Sequence, residues 1–243
     1  MKKRINLELL RIGVFVVATA ALARGQGSFV ALHSGAANPT SEGFAVASSF
    51  GTPQLGPAYN DLGFDAWSTR FSASGINYRH SLPSLSGLSW MLSVNIRVVE
   101  DSLAQPVFSA GVDSGQYVFG LYFGSAANGD PTVVVSGASL SPVLVLQGAG
   151  STYHNYQLAY DAGLGAAELW VDGVERLGHI AGAQGYSPLV DFGSVYQNPA
   201  ALQANWNVVS VEIIPEPSSM VLVILGGVLL GIGLFRKGLV TPS

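Results

Sequence analysis

Residues 90–99 alternate in character with a period of two: Trp90, Leu92, Val94, Ile96 and Val98 are apolar, and Ser93, Asn95 and Arg97 are polar positions between them. Successive side chains of an extended chain point to opposite faces, so this stretch is a strand with one buried face. The pattern returns at Tyr117, Phe119, Leu121 and Phe123 around Val118, Gly120 and Tyr122, and at Tyr156, Leu158 and Tyr160 around Gln157 and Ala159. Turn-forming clusters separate these runs: Ala127-Asn128-Gly129-Asp130-Pro131, Gln147-Gly148-Ala149-Gly150 and Asp161-Ala162-Gly163. A second strand over 166–171 runs into Asp172-Gly173, the two-residue signal of a tight hairpin. Glu100-Asp101 reads as a strand end. No 3.6-residue period is sustained outside the two chain ends. The expected fold is all-β, a two-sheet antiparallel sandwich of jelly-roll type.

The ends read differently. Lys2, Lys3, Arg4 and Arg11 precede an apolar run at 12–18 that closes in Ala21-Leu22-Ala23. A basic start, a short apolar run and a small-x-small triplet make a signal peptide over 1–23, with Ala21 and Ala23 marking cleavage; Glu8 is its one discordant residue. Residues 218–235 are uncharged and are followed at once by Arg236 and Lys237. Eighteen residues at 1.5 Å each reach about 27 Å, enough for a transmembrane helix. The basic pair marks its cytoplasmic side, so the bulk of the chain lies on the opposite side, in agreement with the signal peptide. Residues 24–214 remain as one domain.

Immediately before the apolar tail stands Ile214-Pro215-Glu216-Pro217-Ser218. With the apolar segment and the basic pair it resembles the PEP-CTERM sorting signal, whose three parts occur here in order over 215–237. The resemblance implies an exosortase substrate of a Gram-negative bacterium that makes extracellular polysaccharide. It implies export through the Sec translocon, trimming by signal peptidase, an inner-membrane-anchored precursor, and a final place in the envelope or outside the cell. Two prolines deny helix and sheet pairing and hold the motif extended for an enzyme to grip. The chain departs from the family pattern in its short basic cluster and in the six residues that follow Lys237, which leaves a plain membrane anchor as the alternative.

The stretch Tyr153-His154-Asn155-Tyr156-Gln157-Leu158-Ala159-Tyr160-Asp161, continued by Ala167-Glu168-Leu169-Trp170-Val171-Asp172-Gly173, resembles the central hairpins of concanavalin A-like lectin/glucanase and laminin-G-like sandwiches. Ala66-Trp67 leading to Tyr78, the long strand at 92–99, and Ala204-Asn205-Trp206 before a closing strand at 208–213 agree with it. The resemblance covers about 38–213 and implies a carbohydrate-binding, adhesion or structural module.

Charge and composition narrow the chemistry. The chain has 243 residues, a net charge of −4, 30 glycines and no cysteine. Disulfides, thiolate nucleophiles and cysteine-type metal sites are thereby excluded. Residues 24–214 set five arginines against thirteen carboxylates, a net of −8, with no basic cluster to meet phosphates, so nucleic acid is not an expected partner. Glycosidases on such sandwiches place their carboxylates on one face of one strand; Glu168, Asp172 and Glu175 do not, because Asp172-Gly173 turns the chain between them. No Gly-x-Ser-x-Gly elbow occurs, and His33, His80, His154 and His179 lack ligand spacing. Asp113, Asn128, Asp130 and Asp172 fall in loops where calcium would be possible, yet no calcium motif marks them, so no metal or cofactor is expected. Of the four tryptophans, Trp170 lies on the opposite strand face from Leu169 and Val171. It is the candidate sugar platform, with Asp172 as its polar companion. The expectation is an exported, non-catalytic module whose possible ligand is polysaccharide; the alternative is a glycan hydrolase or lyase with Glu168 or Asp172 as acid.

Overall fold

The computed structural model describes residues 28–71, 75–101, 106–194 and 202–215. Sixteen strands follow one another: β1 (Ser28–Ser34), β2 (Ala45–Phe50), β3 (Gln54–Asp61), β4 (Phe64–Phe71), β5 (Gly75–Ser81), β6 (Trp90–Asp101), β7 (Phe108–Asp113), β8 (Tyr117–Ser125), β9 (Pro131–Ser136), β10 (Leu144–Val145), β11 (His154–Asp161), β12 (Ala166–Val171), β13 (Val174–Ala181), β14 (Ala183–Gln184), β15 (Leu189–Ser194) and β16 (Leu202–Ile213). One 3-10 turn, Pro39–Glu42, is capped by Asn38, whose Oδ1 accepts from the Thr40 N–H. Among the described residues no helix is long and apolar enough to cross a membrane. The signal peptide at 1–23 and the transmembrane segment at 218–235 lie outside the described residues.

The strands form two eight-stranded antiparallel sheets. The first runs β13-β12-β11-β6-β16-β4-β3, with β1 also paired to β16; the second runs β10-β9-β8-β7-β15-β5-β2, with β14 paired to β8. Each sheet turns its apolar face inward, as the period-two pattern requires. Trp90, Leu92, Val94 and Ile96 of β6 and Tyr156, Leu158 and Tyr160 of β11 are buried from the first sheet. Phe119, Leu121 and Phe123 of β8 and Val190 and Phe192 of β15 are buried from the second. Aromatic rings bridge the sheets: Phe192 lies 5.1 Å from Trp206, and Trp90 meets Phe119 edge-on at 5.7 Å.

The closing strand is longer than its alternation alone suggests. Ala204-Asn205-Trp206 and residues 208–213 belong to one strand, β16, with a register shift between Trp206 and Val208. The extra residue, Asn207, changes the inward parity, so Ala204 and Trp206 before it and Val209 and Val211 after it are all buried.

Candidate functional site

Register places the outward side chains of the first sheet in rows. Trp170 on β12 stands opposite Gln157 on β11, Gln157 opposite Ser93 on β6, and Ser93 opposite Ser210 on β16. On its other side Trp170 faces Glu175 of β13. Asn155 and Asn95 form the neighbouring row. Leu169 and Val171 are fully buried, while Trp170 is half-buried on the opposite face. The arrangement is an indole flanked in register by an amide and a carboxylate, with hydroxyls further along the same row. The other three tryptophans, Trp67, Trp90 and Trp206, are core residues.

Asp172 sits at the turn that ends β12. Its φ of 51° and the 77° of Gly173 are the paired positive values that a two-residue hairpin needs. The carboxylate turns back on the sheet: Oδ2 lies 2.7 Å from His154 Nδ1, and Oδ1 accepts the Asn155 N–H at 2.9 Å. Both oxygens are therefore engaged in holding the hairpin to β11. Glu168 faces outward in the middle of β12, and Glu175 lies beyond the turn on β13, so the three carboxylates do not share one strand face.

A second polar cluster lies on the same sheet where the β3–β4 hairpin curls over it. Asp61 Oδ1 pairs with Arg97 Nη1, and Oδ2 accepts from Tyr153 Oη at 2.9 Å and Asn205 Nδ2 at 2.6 Å. Arg97 Nε donates to the Ser151 carbonyl at 3.0 Å, and Phe64 packs on the Tyr153 ring at 4.7 Å. Burial alone would raise the Asp61 carboxyl; the bonds from Asn205, Arg97 and Tyr153 outweigh it and hold Asp61 below the ordinary carboxylate value. The Tyr153 hydroxyl is pushed upward, first by burial and then by Asp61.

The other loop carboxylates act as clamps. Asp130 accepts the N–H groups of Gly148 at 2.9 Å and Gly150 at 3.0 Å, which hold its carboxyl below the usual value. Asp113 accepts from Gly115, Tyr186 and Ser187. Backbone donors thus occupy the oxygens a cation would need, and among the described residues no three His, Asp or Glu side chains are grouped to hold a metal. His33 is fully buried with Nδ1 2.5 Å from Glu42 Oε2, and His80 Nδ1 donates to the Gly43 carbonyl at 2.9 Å. Of the sorting motif, Pro215 is exposed; Glu216, Pro217 and Ser218, the basic pair Arg236 and Lys237, and Ala21 and Ala23 lie outside the described residues.

A concavity on the second sheet is not marked by hydrophobic periodicity. On the outward face of the second sheet, Gly111 of β7 stands opposite Gly120 of β8, flanked by Asp191 of β15 and Ser136 of β9. The two missing side chains open a trough of about 240 Å³. A glycine inside a strand pattern signals close approach of another group to the backbone, and Gly111 and Gly120 carried that signal.

Neither a protein-family model nor a curated protein matches the chain. Among solved structures, a conserved carbohydrate esterase from a Shiga toxin-encoding bacteriophage is similar at a TM-score of 0.60 and 12% identity, over 78% of this chain and 100% of that one. Domain 4 of an extracellular arabinanase from Geobacillus stearothermophilus, in complex with arabinotriose, is similar at 0.47 and 14% identity, over 80% of this chain and 97% of that one. The binding domain of botulinum neurotoxin DC in complex with SialylT is similar at 0.45 and 10% identity, over 75% of this chain and 46% of that one. This chain thus spans about half the length of the toxin domain. At such identities the likeness to the phage protein shows the fold alone, an antiparallel jelly-roll sandwich.

Proposed function

We propose that this protein is an exported, non-catalytic glycan-binding module, sorted through its PEP-CTERM tail to the envelope or the extracellular matrix. The observation that carries the glycan part is Trp170, an indole turned outward in register with Gln157, Ser93 and Glu175. Sugars present apolar C–H faces and a ring of hydroxyls, which an aromatic platform with flanking amides and carboxylates complements. The fold likeness supports the scaffold, and the ligand class rests on Trp170. Asp172 supports the platform from the adjoining turn, since its bonds to His154 and Asn155 fix the end of β12.

The test is a glycan array that includes the host's own polysaccharide. Binding that falls at least about tenfold in Trp170→Ala, or about 1.4 kcal/mol, is the expected result. A chain inert toward every glycan overturns the reading. The sorting part is tested by intact mass of the protein from its native host. A mature form ending near Pro215, lost when Pro215, Glu216 and Pro217 are all replaced by alanine, is expected. A form that still carries Arg236 and Lys237 would establish a plain anchor instead.

A further inference from the structure

We propose that the glycine-floored trough on the second sheet is a separate site for a single neutral sugar ring, with Asp191 as its hydroxyl acceptor and Tyr122 as its wall. The sugar class rests on the glycan-binding reading, whereas the site itself rests on geometry. The row across this face is Arg79, Asp191, Gly111, Gly120 and Ser136, on β5, β15, β7, β8 and β9. A Cβ on Gly111 would stand 3.2 Å from Asp191 Oδ1, and one on Gly120 would stand 3.3 Å from the Tyr122 ring. The carboxylate and the phenol ring therefore lean over the two bare backbone positions from opposite sides.

Asp191 is the unusual member. Its side chain is 26% exposed, and the nearest opposite charge, Arg79 Nη2, is 3.6 Å from Oδ2, which is longer than a hydrogen bond. Asp113, Asp130 and Asp172 each accept two or more bonds, whereas the partner of the Asp191 carboxylate is Arg79 at that longer distance. A carboxylate held by one long contact keeps acceptor capacity for the hydroxyls of a ligand that enters the trough. Burial raises its carboxyl above the ordinary value, although Arg79 lowers it in part.

The ligand's chemistry follows from these neighbours. A donor-rich ligand is required, and hydroxyls or ammonium groups both qualify. Arg79, half-exposed beside the carboxylate, already balances its charge, so a second cation would be repelled and a neutral polyol is favoured. At 240 Å³ the trough is smaller than the roughly 300 Å³ at which pockets for drug-sized ligands begin, so it suits one ring and not an oligosaccharide. Ser109 and Ser136 add hydroxyls at its margin. Because the Trp170 face and the trough belong to opposite sheets of one sandwich, a chain with both occupied would link a polysaccharide on one face to a terminal sugar ring on the other.

The experiment titrates the full chain with a panel of methyl hexopyranosides and N-acetylhexosamines, by ligand-observed NMR and calorimetry, in wild type, Asp191→Asn, Gly111→Ala and Trp170→Ala. The expected result is a monosaccharide that binds wild type, weakens at least about tenfold in Asp191→Asn and Gly111→Ala, and changes less than about twofold in Trp170→Ala. Asp191→Asn is nearly isosteric and keeps the test valid should Gly111→Ala fold poorly. No binding of any panel sugar, or binding unchanged in Asp191→Asn, overturns the second site. If array binding lost in Trp170→Ala accompanies that outcome, the glycan-binding reading stands and the trough assignment alone fails.

Discussion

Asp172 holds His154 across the end of the β11–β12 hairpin, with Oδ2 2.7 Å from Nδ1, while its other oxygen takes the Asn155 N–H. One residue thereby satisfies a buried ring nitrogen, a strand donor and the left-handed turn position at φ 51°. Asp172→Ala removes both acceptors and adds backbone strain, so a loss of about 1–3 kcal/mol is expected. Asp172→Asn, which tolerates the same φ and keeps an acceptor, should lose less. Thermal unfolding of the three proteins checks the order; equal midpoints for wild type and Asp172→Ala would remove the hairpin clamp.

His33 gives the fold an acid-sensitive point. Its ring is fully buried, stacks on Phe192 at 5.2 Å and meets Glu42 at 2.5 Å. Burial lowers its pKa from 6.5 more than the Glu42 bond and charge and the Trp206 backbone raise it. Below pH 6.5 the unfolded chain takes up a proton that the folded chain refuses. The stability contribution is therefore full above 6.5 and declines as pH falls, by up to about 1.4 kcal/mol per pH unit. Unfolding midpoints between pH 8 and 5 should drop in wild type and drop less steeply in His33→Gln. Parallel pH profiles would show that His33 is not the group responsible.

What could be read from the residues depended on whether a strand has two different faces. β6, β8, β11 and β12 each bury one face and wet the other, so Trp90 to Val98 or Tyr156 to Tyr160 announce themselves by alternation. β2 is exposed along its whole length and β13 nearly so, and such edge strands carry no period. Trp170 was legible for the same reason as β12, since Leu169 and Val171 fix which face is inside. The Asp61 cluster was not, and of the Asp191 trough only the strand glycines Gly111 and Gly120 gave a sign. Asp61, Arg97, Tyr153 and Asn205 lie far apart in the chain and meet through hairpin curl and cross-sheet register, which a single sequence does not reveal.

Among the described glycines, Gly193 leaves the least room for a side chain. It pairs with Asn77 on β5, has φ 144°, and a Cβ there would lie 2.1 Å from the Ile76 carbonyl oxygen. Backbone cannot swing aside as a flexible side chain can, so Gly193→Ala should part β15 from β5 and cost more than about 4 kcal/mol, or abolish folding. Gly129→Ala is the control: it shares a positive φ, 82°, but meets nothing within 4 Å, so it should cost about 1–2 kcal/mol. Soluble yield and thermal midpoint distinguish the two, and a Gly193→Ala protein melting within a few degrees of wild type contradicts the packing.

The Asp61 cluster ties the β3–β4 hairpin to the outward face of the first sheet, so its loss should be felt locally first. Asp61→Ala leaves the Arg97 guanidinium, the Tyr153 hydroxyl and the largely buried Asn205 amide without their common acceptor, and a loss of about 2–4 kcal/mol is expected. Tyr153→Phe removes one donor of three and should cost about 1 kcal/mol. Because the two groups are bonded, the double variant should cost less than the sum of the singles, whereas additive losses would deny the contact. The charge adds a pH signature. Asp61 titrates below its ordinary 3.8 in the folded chain, so its stabilisation is present above that value and is lost as pH falls through the lower folded value. Hydrogen exchange should show the β3–β4 amides opening ahead of the core strands in Asp61→Ala, while β6 and β11, whose inward residues are untouched, keep their protection. Uniform loss of protection across both sheets would mean that the cluster supports the whole sandwich and not the hairpin.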